Sequence, residues 1–257
     1  RLSFSFYKGN DLIRLTRDQD DLSQNFSIKD FNRIECGNTL ASINWNQTLS
    51  EKVYSTTSVG ISSFNYSSRG SYDINYKEID TTENRSFDIF SNSKLRDINI
   101  TQSFDYYTSE AGIFKFGAGY IRHKNAPSIK ESDAFLDPEI QSSIALDSIY
   151  FSNELFVFAE NMSDINQNLS IHSGLRLNYF GGLDQDYLYL QPRLDINYRF
   201  GHNKINLSYA RMSQFIHLLV NPGPGLPSDL WVPSTSKVAP EISDLVGLKY
   251  SYSKDKF

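Results

Sequence analysis

Asp186-Tyr-Leu-Tyr-Leu-Gln-Pro-Arg-Leu-Asp-Ile-Asn-Tyr-Arg-Phe200 decides the fold. Leu188, Leu190, Pro192, Leu194, Ile196, Tyr198 and Phe200 share one face, while Tyr189, Gln191, Arg193, Asp195, Asn197 and Arg199 share the other. A period of two is the signature of a strand with unlike faces. Outward from this stretch the pattern repeats. Downstream, Ile205, Leu207 and Tyr209 oppose Asn206, Ser208 and Ala210, and Val246, Leu248, Tyr250 and Tyr252 oppose Ser243, Gly247, Lys249 and Ser251. Upstream, Leu169, Ile171, Leu175, Leu177 and Tyr179 oppose Ser170, His172, Gly174, Arg176 and Asn178. Further runs lie at 94–107 and 112–122, with weaker ones at 1–7, 38–49, 53–66 and 150–162, for ten expected strands in all.

The connections alternate in length. Short turns are expected near 50–52, 108–111, 163–167 and 201–203, and long polar loops at 10–33, 67–93, 124–149 and 218–241, with a shorter one near 181–185. In an antiparallel meander, odd and even connections fall on opposite rims, so one rim is tight and the other carries long loops. Outer-membrane barrels are built that way. The alternating runs exceed the usual globular strand and suit a tilted bilayer crossing of about 9–11 residues. Tyr and Phe close the apolar faces, as interface girdles do. Soluble sandwiches, propellers and solenoids also alternate, but no blade-length repeat is present. Pro192 speaks against full pairing of its strand, since it cannot donate to a ladder.

Composition narrows the classes. The 257 residues hold 25 Lys+Arg against 30 Asp+Glu, a net charge of −5 with no basic block, which excludes a nucleic-acid partner. The longest uninterrupted apolar run, Leu155–Ala159, is far too short for a helical span. The aromatic content of 14% opposes wholesale disorder. Cys36 has no disulfide partner, and nothing near it would activate a thiol. The chain starts within an alternating run, which suggests a piece of a longer polypeptide.

Enzymatic and metal chemistry find no motif. None of His123, His172, His202 and His217 has a second ligand at metal spacing. No phosphate loop or Gly-x-Ser-x-Gly occurs. Glu154 and Glu160 share a face but stand too far apart along it to act as a carboxylate pair. The eight Asn-x-Ser/Thr sequons, several inside strands, reflect composition. The expectation is a protein without enzymatic activity, metal or cofactor. His172, Arg176, Arg193, Asp195 and Arg199 would line a wet lumen. Leu226, Asp229 and Trp231, in a Pro- and Gly-rich loop on the open rim, are the candidates for solute capture. Trp231 could stack on a ring of the solute, or with Leu226, Leu230 and Val232 pin the loop to its neighbours.

Phe215-Ile-His-Leu-Leu-Val-Asn-Pro-Gly-Pro-Gly-Leu-Pro-Ser-Asp-Leu-Trp-Val-Pro-Ser-Thr resembles a loop of TonB-dependent outer-membrane receptors, especially those of Bacteroidota. Ser208-Tyr-Ala-Arg-Met-Ser-Gln, Gln191-Pro-Arg-Leu, Ser173-Gly-Leu-Arg-Leu and Leu40-Ala-Ser-Ile-Asn-Trp-Asn are similar to strands of the same group, in the same order. The Pro-Gly-Pro-Gly of 222–225 is richer in Pro and Gly than the family pattern. The resemblance implies an all-β, antiparallel transmembrane barrel of the 22-stranded type, of which this chain is a segment of about ten strands: a partial barrel domain over 1–257, with an N-terminal plug and the remaining strands outside it. It implies a Gram-negative outer membrane, lipid around the wall, a TonB complex acting through a plug, and import of a scarce iron chelate, cobalamin, glycan or peptide. A surface lipoprotein partner is left open. The alternatives are a passive channel, an outer-membrane protease-like barrel and an adhesin.

Overall fold

In the computed structural model, residues 1–21, 26–77, 82–108, 112–133, 145–219 and 230–253 are described. Among them there is no helix. One antiparallel sheet dominates. Its path follows chain order: β1 (Leu2–Asp21), β2 (Phe26–Ser50), β3 (Val53–Lys77), β4 (Thr82–Tyr107), β5 (Gly112–Asp133), β7 (Tyr150–Asn166), β8 (Leu169–Gly181), β9 (Asp186–Phe200), β10 (Asn203–Gln214) and β13 (Glu241–Tyr252). The short β6 (Ala145–Asp147) adds to β5, and β11 (Ile216–Leu219) pairs with β12 (Leu230–Pro233) as a separate hairpin. The sheet is not closed: β1 and β13 are its two edges.

The ten expected strands are all present, but four boundaries need correction. The loops expected at 10–33 and 67–93 are largely strand, because β1 through β5 run 20, 25, 25, 26 and 22 residues. The ladder continues unbroken through Ile13↔Ile34, Ile28↔Ile74 and Ile74↔Arg85. Alternation reports unlike faces and not backbone pairing. Where both faces meet water, Ser, Asn and Asp occupy both, and the period disappears while the hydrogen bonds persist. Of the region at 124–149, residues up to Asp133 belong to β5 and Ala145–Asp147 form β6; 134–144 lie outside the described residues. The turn expected at 163–167 is tighter, since β7 runs on to Asn166 through an irregularity between Asp164 and Asn166. Asn166 Oδ1 there accepts from the amides of Asn168 and Leu169.

Pro192 leaves its mark where expected. It pairs with Leu175 of β8, but the β9–β10 ladder ends one residue before it, at Ala210↔Arg193. At the tight rim Gly201 takes a φ of 56° between β9 and β10, a conformation that glycine adopts without steric cost.

Polarity is inverted relative to a soluble core. Leu188, Leu190, Tyr198, Val157, Leu175, Ile98 and Val246 are exposed on one face. The buried side chains are mostly polar: Ser68, Ser93, His123, Asn125, Ser152, Asn178, Gln191, His217 and Ser234. They lie on the opposite face or in the hairpin, against five buried hydrophobic residues among the described ones. A large exposed apolar face above a buried polar one is abnormal in water and suits a wall with lipid outside and a polar interior.

The polar face is also the concave one. The β11–β12 hairpin and its flanks touch Phe64 of β3, Ser93 of β4, Asn125 of β5, Phe180 of β8 and Tyr187 of β9. Laid flat, the six neighbouring strands β3 to β9 would span roughly 24 Å at about 4.8 Å per spacing, more than a two-stranded hairpin can bridge. The sheet therefore wraps around it.

Candidate functional site

The hairpin plugs the loop-side end of the trough. Phe215, which leads into β11, stacks on Phe180 with centroids 4.8 Å apart and an interplanar angle of 2°. Trp231 of β12 packs edge-on against Phe64 at 6.1 Å. Its amide donates to Ser93 Oγ (2.9 Å), and its carbonyl accepts from Asn125 Nδ2 (3.4 Å). Tyr187 donates its hydroxyl to the Thr235 carbonyl (2.7 Å). The Asp184 carboxylate, in the β8–β9 connection, accepts from the Ser236 amide (2.9 Å) and hydroxyl. Those two bonds hold Asp184 below the usual carboxylate range. Trp231 thus anchors the hairpin through ring and backbone together. Leu226 and Asp229 lie outside the described residues.

Inside the hairpin, Ser234, His217 and Glu241 have the outline of a nucleophile–base–carboxylate triad. Ser234 Oγ is 2.7 Å from His217 Nε2, and His217 Nδ1 is 3.2 Å from Glu241 Oε1. The hydrogen bonding runs the wrong way for attack. Ser234 donates to the Phe215 carbonyl at 3.0 Å, so Nε2 must be the donor to Oγ, and Ser234 is fully buried. A general base must instead accept the hydroxyl proton. The three groups pin β11, β12 and the start of β13 together.

Below the hairpin, cross-strand register assembles a charged cluster that no linear motif reveals. Asp97 faces His123 and His123 faces Ser152. Phe158 faces Arg176, four residues along from Glu154↔Phe180. His123 Nδ1 lies 2.8 Å from Asp97, and its Nε2 lies 3.8 Å from Glu154. Arg176 bonds Glu154 (3.2 Å) and Asn178 (2.7 Å), and its guanidinium sits 3.7 Å over the Phe156 ring. Asn178 donates to Glu154 at 3.1 Å. Of the expected lumen residues, only Arg176 joins this cluster. Asp97, His123 and Glu154 were missed because their proximity depends on strand pairing. The available signal was parity: each falls on the polar face of its own strand.

The other expected residues line the same concave face nearer the tight rim. His172 lies 3.6 Å from Glu160. Asp195 accepts from Asn197 and Asn206. Arg193 stands opposite Gly174 and Ala210, and Arg199 opposite Lys204. Among the described residues, no group of three or more His, Cys, Asp or Glu is placed to hold a metal.

The fold and this trough define a class: one wall of an antiparallel barrel with an apolar exterior, a polar interior and a hairpin folded into its mouth. No family model matches the chain, and no curated protein matches it. Solved structures do. The siderophore receptor PirA of Pseudomonas aeruginosa is 14% identical, with a TM-score of 0.44, over 97% of this chain and 50% of that one. The ferric enterobactin receptor PfeA of the same organism, in complex with BCV-L6, is 11% identical, with a TM-score of 0.48, over 99% and 51%. FpvA of P. aeruginosa, bound to heterologous pyoverdines, is 8% identical, with a TM-score of 0.37, over 83% and 41%. The chain spans about half the length of the first of these structures.

Proposed function

We propose that the chain is a stretch of the barrel wall of a TonB-dependent outer-membrane receptor of the Bacteroidota type, which imports a scarce solute. The observation that carries this reading is the inverted polarity: exposed aliphatic side chains outside, and within, a buried His123 clustered with the half-buried Asp97, Glu154 and Arg176. The sequence likeness of 169–250 to that family supports it. In this reading strands outside the 257 residues complete the barrel, and a plug fills the lumen against Arg176, His172, Arg193, Asp195 and Arg199. The loop bearing Leu226, Asp229 and Trp231 meets solute at the open rim. The solute is an iron chelate, cobalamin, glycan or peptide, and energy comes from TonB through the plug.

The test uses the gene in its native host. The gene is deleted and restored as the full-length protein, and uptake of one labelled solute from each class is followed with and without an uncoupler of the proton gradient. Import that needs both the protein and the gradient is expected. Import that needs the protein but survives the uncoupler would replace the reading with a passive channel. Loss of no uptake for any solute would overturn transport altogether.

A further inference from the structure

Four cations gather on the exterior face where its apolar band ends. On β4 the outward run Tyr106, Phe104, Ile100, Ile98 gives way to Arg96 and Lys94. On β5 the run Phe114, Phe116, Tyr120 gives way to Arg122 and Lys124. Register makes Arg96 and Lys124 direct cross-strand partners, and sets Arg122 opposite Ile98. Like charges directly opposite each other oppose pairing. Among the described residues none of the four is ion-paired to a carboxylate. Arg122 and Lys124 instead share the Phe151 ring, at 5.2 and 5.6 Å.

A groove of about 620 Å³ runs beside them, walled by Arg96, Lys124 and Phe151 on one cross-strand row and, one row nearer the apolar band, by Arg122, Ile98 and Ile61. A smaller hollow of about 210 Å³ shares Arg96 and Lys124 and adds Lys94. The placement is one-sided. Among the described residues, no outward strand position between the apolar band and the tight-turn rim carries Lys or Arg.

We propose that this groove binds a lipid-borne phosphate of the leaflet on the loop side. The phosphate sits among Arg96, Arg122 and Lys124, as phosphate does in a cationic fork, and an acyl chain descends along Ile98 and Ile61 into the apolar band. A soluble anion would satisfy the charges but leave the apolar wall uncovered. A lipid satisfies both, and it relieves the Arg96–Lys124 repulsion.

This rests on the barrel reading of the apolar face, and the experiment separates the two. Full-length protein is placed in phosphatidylcholine nanodiscs doped with diphosphoryl lipid A, or with the same lipid after phosphatase treatment. Retained lipid is counted by native mass spectrometry. The wild type is expected to keep the phosphorylated lipid and not the dephosphorylated one. The R96Q/R122Q/K124Q variant should bind it roughly a hundredfold more weakly, at about a factor of five per cation removed. K52Q, an exposed cation in the tight turn between β2 and β3 at the opposite rim, serves as control and should bind as wild type. Equal retention by the triple variant, or of the dephosphorylated lipid, overturns the site alone. Displacement by equimolar inorganic phosphate overturns the lipid as its occupant. Failure of the protein to enter the discs overturns the barrel reading and the site with it.

Discussion

At the scale of single residues, the charged cluster under the hairpin is the most sensitive point. Glu154 accepts from Arg176 and Asn178 and also faces His123. Glu154→Ala would leave a largely enclosed guanidinium without its carboxylate. A cost of roughly 3 kcal/mol is expected for breaking such a pair, read by denaturant unfolding in lipid vesicles. Adding Arg176→Leu should restore part of the loss, because an empty polar pair costs less than half of one. A double variant no better than Glu154→Ala would mean the pair is not the source. Asp184 gives a pH test on exposed ground. Its carboxylate is held low by Ser236, so the contribution is fully present above the unfolded value near 3.8 and is lost as pH falls through the lower folded value. Protection of the Ser236 amide, measured by hydrogen exchange and corrected for intrinsic rates, should hold through mild acid and fail only in strong acid. Loss of protection near neutrality would refute the tether. The sequence exposed the polar parity of Arg176, His172 and Asp195 but not the company each keeps, since neighbours on adjacent strands are set by register.

At the scale of elements, the cores of β7 to β10 and β13 were legible and the upper halves of β1 to β5 were not. Ile98, Ile100 and Phe104 alternate with polar partners because one face is apolar. Ser67 to Ser71 show no alternation, yet all are paired across to β4. The hairpin strands β11 and β12 escaped for a different reason: Ile216–Leu219 and Leu230–Pro233 are too short for a period to register. Fit between elements makes a sharper prediction. A Cβ at Gly117 would lie 2.4 Å from the Gln102 carbonyl oxygen and 2.9 Å from the Phe158 ring. Backbone cannot swing aside as a side chain can, so Gly117→Ala is expected to destabilise by about 1–3 kcal/mol. Ala118→Val, on the open outer face of the same strand, should be nearly silent. Equal unfolding midpoints for the two variants would refute the close β4–β5–β7 approach.

At the scale of the whole molecule, the question is which face meets which solvent. The burial pattern alone admits one alternative, a soluble sheet whose aliphatic face is covered by another protein. Charge distinguishes the two. In a bilayer, Arg substituted at the middle of an outward run meets hydrocarbon and costs roughly 2–4 kcal/mol. Leu194 lies mid-run on β9, between Leu190 and Tyr198, and is exposed. Asn197, three residues on, faces the trough, where it already bonds Asp195 and Asn206. Leu194→Arg should therefore lower the stability of the full-length protein in lipid vesicles by that amount, while Asn197→Arg, beside the Asp195 carboxylate, should change it by under about 1 kcal/mol. Against a protein partner the penalty at Leu194 would vanish on removing the partner. Against lipid it persists in the purified protein and grows with the depth of the position, so Leu188→Arg, at the loop-side end of the same run, should cost less than Leu194→Arg. A cost that ignored depth would remove the membrane from the account of this fold.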